Sequence, residues 1–161
     1  MDIPPLYSPA VTGKKKLIVA VSLLALVMLG IRLVKPSALG LLNGRLNPCP
    51  DKPNCVCSQG SDAEHQIDPL KFTGTASDAK TRLKKALDQL PRNKIITETD
   101  SYLHVEFTSQ IMRFIDDVEF LIDAPNQLIH VRSASRIGQS DLGVNRKRVE
   151  ALRATFVDAT R

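Results

Sequence analysis

Four strand-like runs between Lys94 and Arg136 constrain this chain most. Of Lys94–Thr99, Tyr102–Thr108, Met112–Ile122 and Leu128–Arg136, the last three place apolar side chains at every second position over much of their length. That is the period of a strand with one buried face. The links between them hold only two to five residues. A parallel pairing needs a crossover of about a dozen residues, so neighbouring runs must pair antiparallel. A sheet with one apolar face must be covered, and two helical patterns bracket the runs. The first is capped by Thr75 or Ser77 and stopped by Pro91, and it aligns Ala79, Leu83, Ala86, Leu87 and Leu90. The second, Asn145 to Thr160, aligns Val149, Leu152, Phe156 and Ala159. Ile67 to Phe72 adds a short strand. The expected fold is α+β: an antiparallel four- to five-stranded sheet over residues 67–161, in the order βαββββα, with two helices packed on one face.

What precedes this domain points to a membrane. Lys14, Lys15 and Lys16 stand before an apolar run that reaches Val34 if Arg32 snorkels. Eighteen residues of helix span roughly 27 Å, enough for a bilayer core. The lysines favour a cytoplasmic N-terminus. Ala38-Leu39-Gly40, the nearest small-residue cleavage site, lies far beyond the run and past two cations, which argues for an uncleaved anchor. The expected layout is a cytoplasmic tail at 1–16, a transmembrane signal anchor at 17–34, a linker with a cysteine-pinned loop at 35–66, and the domain behind it. That places the domain in the periplasm, on the outer side of a bacterial inner membrane. Net charge is +5, but residues 1–39 carry +4 of it. The remainder is nearly neutral, which argues against nucleic acid as a partner.

All three cysteines lie within PCPDKPNCVC, at positions 49, 55 and 57. In an oxidising compartment the default is a disulfide between Cys49 and Cys55, across a proline-containing turn. Cys55 with Cys57 would be strained, because alternate residues of an extended chain point apart. Reduced thiols and a zinc site completed by His65 remain open alternatives, although one cluster lacks the two spaced ligand pairs usual for zinc.

Alternation also predicts a polar sheet face. Leu103, Val105 and Phe107 point to the core, leaving His104 and Glu106 on the other side. Asp117 and Glu119 join them from the third run, and His130, Arg132 and Arg136 from the fourth. Asp116 is a misfit at a core position, either a buried acid or the mark of a bulge. The segment Arg132–Arg148 holds five basic residues and one acid. It puts Arg146, Lys147 and Arg148 at a helix N-terminus, where the macrodipole disfavours cations. Such a conflict calls for an acidic partner or an anionic ligand. The simplest account is a set of cross-strand ion pairs. A sharper one is an anion site in which Arg132, Arg136 and Arg146 converge near free backbone N–H groups. A third is hydrolysis by His104, Glu106, Asp117, Glu119 and His130. There is no metal-binding motif, nucleophile elbow or cofactor-binding motif.

Three stretches resemble the signature blocks of the domain of unknown function 1499 family: LNPCPDKPNCVCSQ at 46–59, RFIDDVEF at 113–120 and IHVRSASRIGQSDLGVNRKRVEALR at 129–153. The resemblance covers residues 42–158. It implies a domain found in bacteria and photosynthetic eukaryotes, often behind an export or membrane segment, and implies no particular activity. The family pattern matches Cys49 and Cys55 and usually has Ser where Cys57 stands. Its emphasised positions match Arg113, Asp116, Asp117, Glu119, Arg132, Ser133, Ser135, Arg136, Asp141, Asn145 and Arg146. The candidate ligand-binding set is these positions without the two serines. The expected function is binding or assembly without catalysis, toward an anionic small molecule, a lipid headgroup or an envelope protein. An envelope hydrolase using the His/carboxylate face is the alternative.

Overall fold

The computed structural model describes residues 17–23, 25–26 and 38–158. The chain divides into two units, Met1–Leu33 and Val34–Arg161. In the first, residues 17–23 and 25–26 are helical (α1). Among the described residues no helix is long and apolar enough to cross a membrane. Much of the anchor expected at 17–34 lies outside them.

The second unit is α+β and antiparallel. Its elements are β1 (Leu41–Leu42), β2 (Arg45–Leu46), β3 (Cys55–Cys57), β4 (Leu70–Lys71), α2 (Ala76–Asp88), β5 (Asn93–Glu98), β6 (Tyr102–Thr108), β7 (Ile115–Asp123), β8 (Leu128–Ser135) and α3 (Val144–Asp158). β5 to β8 form the expected meander, in the order β8-β7-β6-β5. The strand expected within Ile67–Phe72 is β4, and the sheet has six strands, not four or five, because β3 joins β4 on the free edge of β8. They lie end to end there, β3 on Arg132–Ala134 and β4 on Leu128–Ile129. Two or three residues are too few to show a period, so β3 reads as loop in the sequence. β7 starts at Ile115 rather than Met112. Arg113 takes φ 56°, which no strand tolerates.

The core lies between the two helices and the sheet face that carries Leu103, Val105, Phe107, Val118, Phe120, Ile122, Ile129 and Val131. α2 contributes Ala79, Leu83, Ala86 and Leu87. α3 contributes Val149, Leu152 and Phe156. Thr75 caps α2 by accepting from the Asp78 N–H. Asn93 closes its other end, donating from Nδ2 to the carbonyls of Leu87 and Leu90.

The opposite face is also covered in part. Gly40 donates its N–H to Glu119 Oε1 at 2.7 Å, and Leu46 is buried. Gln59 Oε1 accepts from the Leu46 N–H, tying the β1–β2 hairpin to the segment after β3. Cys49 and Cys55 are joined in a disulfide. Cys57 is a buried free thiol, and burial raises its pKa.

Candidate functional site

The sheet sorts the candidate residues onto its two faces. Cross-strand register places Glu106 opposite Asp117 and His104 opposite Glu119. It then places Glu119 opposite Arg132 and Asp117 opposite Ala134. Among the described residues this outer face holds two arginine-centred ionic groups. In one, Arg136 grips both oxygens of Asp117 at 2.8 Å and also pairs with Glu106. His104 Nε2 lies 2.7 Å from Asp117 Oδ1. Burial pushes the Asp117 carboxyl up, but Arg136 and His104 outweigh it and hold it below the ordinary Asp value. In the other, Arg132 pairs with Glu119 at 2.8 Å, and Tyr102 donates its hydroxyl to the same carboxylate. Glu119 is 0% and Arg132 1% exposed. Burial and the Glu119 charge both raise the Tyr102 phenol.

The inner face holds a third group. Asp116 is a buried acid with no bulge beside it, and its partner is Arg148 of α3. Arg148 also donates to Ser133 Oγ and Asn145 Oδ1, and its guanidinium lies 4.9 Å from the centre of the Phe107 ring. Asn145 is fully buried and donates from Nδ2 to the Asn54 carbonyl, Ser135 Oγ and Asp141 Oδ2. Asp141 accepts as well from the N–H groups of Gly143 and Asn145. Its carboxylate therefore occupies the place at the α3 N-terminus where an outside anion would sit.

The nine candidate residues are thus not one constellation. Asp117, Glu119, Arg132 and Arg136 lie on the outer face. Asp116, Asp141 and Asn145 lie on the inner face or at the start of α3. Arg146 is exposed and donates to the carbonyls of Glu64 and Gln66. Arg113 is exposed in the β6–β7 loop and takes part in none of these ion pairs. His130 stands apart from His104, 3.5 Å from Asp123. Among the described residues no three His, Cys, Asp or Glu side chains are placed to hold a metal ion.

Sequence reasoning passed over Arg148 as a site residue. A signal was present: Arg148 follows Asn145 by three and precedes Leu152 by four, so it shares the apolar stripe of α3. Beside its pair with Asp116 is a groove of about 310 Å³. Leu90, Pro91, Phe107 and Val144 supply apolar surface, and Arg92 adds a second guanidinium.

Fold and site together define a disulfide-pinned antiparallel α+β domain whose buried charges are matched from strand to strand and from strand to helix. The family described as "Protein of unknown function (DUF1499)" matches residues 45–156, and the chain belongs to it. No curated protein matches the chain.

Proposed function

We propose that this chain is a membrane-anchored binding domain that faces the periplasm and takes its ligand in the groove beside Arg148. The groove carries the reading. Its apolar surface and two guanidiniums suit a molecule with an apolar body and a single anionic group. Pairing with Asp116 leaves Arg148 little net charge, so recognition is local and Arg92 supplies the uncompensated cation. The anchor rests on the lysine-flanked apolar run at 17–34, and the Cys49–Cys55 disulfide fits an oxidising compartment.

The hydrolase alternative has less support. Asp117 is saturated by Arg136 and His104, and all three side chains are largely buried. A carboxylate held in this way is a poor base, and no Ser, Thr or Cys hydrogen-bonds to His104 among the described residues.

Native mass spectrometry of the full chain, released from its own membrane, tests the binding reading. A reproducible added mass is expected, and Val144→Trp, which fills the groove, should remove it. No added mass, or one that survives Val144→Trp, overturns it. A short-chain, water-soluble phosphatidylglycerol and a free fatty acid, titrated separately, tell a lipid headgroup from a simple carboxylate. At about a hundredfold excess over Kd, the preferred probe should stabilise the fold by about 2.7 kcal/mol.

A further inference from the structure

The groove opens at one end of the sheet, and that end has an unusual surface. The register fixes which loops gather there. β6 ends at Thr108 opposite Ile115, β8 ends at Ser135 opposite Asp116, and β5 begins at Asn93 opposite Phe107. The α2–β5, β6–β7 and β8–α3 loops therefore share this end. In them Leu142 is 85%, Ile111 82% and Met112 50% exposed. Single exposed apolar residues are ordinary, but several on neighbouring loops mark a contact surface.

Backbone conformation supplies a second observation. Each of the three loops holds one non-glycine residue at positive φ: Arg92 at 59°, Arg113 at 56° and Leu142 at 54°. A leucine rarely adopts this region, and the strain persists only where something compensates it. At Leu142 that conformation serves the turn that brings the Gly143 and Asn145 N–H groups onto Asp141, and it leaves the apolar side chain in solvent. The cations around this end are Arg92, Arg113 and Lys147, all exposed. The nearby acids Asp116 and Asp141 are already engaged with Arg148 and with the start of α3. The surface thus joins protruding apolar tips to three exposed cations that form no ion pair among the described residues.

We propose that these three loops dock on the anionic surface of a lipid bilayer. Ile111, Met112 and Leu142 enter the headgroup–acyl boundary, and Arg92, Arg113 and Lys147 meet lipid phosphates. The pairing of apolar tips with cations favours a bilayer over a protein partner. The proposal deepens the binding-domain reading, since it brings the groove mouth to the membrane.

The chain has no tryptophan, so one introduced indole reports its own surroundings. Full-length Ile111→Trp and Leu142→Trp are mixed with vesicles of brominated phosphatidylcholine, with and without phosphatidylglycerol. Asp100→Trp, in the turn at the opposite end of the sheet, is the control. With phosphatidylglycerol present, emission at 111 and 142 should shift to the blue and be quenched, and emission at 100 should not. Arg113→Glu combined with Lys147→Glu should abolish the quenching. Flotation of the chain without quenching at 111 or 142 overturns loop docking and leaves the anchor standing. Quenching that disappears together with flotation at high salt upholds docking and overturns the anchor. A blue shift that rises with protein concentration in the absence of vesicles assigns the surface to a second copy and overturns the proposal. Failure to float on either composition overturns both readings.

Discussion

Arg132 and Glu119 form the deepest ion pair of the domain, and truncating one partner leaves the other charged and buried. Arg132→Met should cost about 3–5 kcal/mol in urea denaturation. Arg132→Met combined with Glu119→Leu should recover much of that loss, because no lone charge remains. Asp117 makes a prediction about pH. Its folded pKa is held below the ordinary value of 3.8, so its contribution is present above 3.8 and lost as pH falls through the lower folded value. Denaturation midpoints should therefore drop on acidification below 3.8. Asp117→Asn should be less stable at neutral pH and lose less stability over that acid range. The sequence showed these outer-face residues through their alternation, because strand register follows a period of two. It left Asp116 ambiguous and missed Arg148, because their partnership joins a strand to a helix 32 residues later, a distance no local period encodes.

Among the elements, the long ones and the short strand β4 were legible, and β1 to β3 were not. α2, α3 and β6 to β8 each bury a face wide enough to show its period, whereas no residue of the edge strand β5 is fully buried. β3 is defined by the β8 edge it completes, which appears only once the sheet exists. In α2, Leu83→Ala removes a fully buried side chain and should cost about 2–5 kcal/mol, read as a lower denaturation midpoint. At α3 the cations that break the dipole rule have separate answers. Arg148 pairs with Asp116, Arg146 binds backbone carbonyls, and Asp141 supplies the negative charge the helix end favours. Asp141→Ala should cost about 0.5–2 kcal/mol through lost capping, seen as a lower thermal midpoint. β5 holds the other sheet edge, where the register shifts between Ile95 and Thr97. Such a bulge twists an edge away from further strands.

For the molecule as a whole, the disulfide spans a sequence separation of only six, so its entropic contribution is modest. Cys49→Ser combined with Cys55→Ser should cost about 2 kcal/mol without changing the fold. A reporter fused after Arg161 should be active on the periplasmic side, and cytoplasmic activity would remove both the topology and the disulfide's compartment. The pairing of β3 with β8 bears on the order of events during synthesis. Cys55 faces Ala134, and the Asn54 carbonyl accepts from Asn145, 91 residues further on. The cysteine turn closes locally, and everything it anchors must wait for the last strand and helix to arrive. Until then the core side of β6 and β7 has no α3 over it. A chain threaded across a membrane from its N-terminus would thus spend its export with this surface open, so holding factors would act on it before α3 emerges.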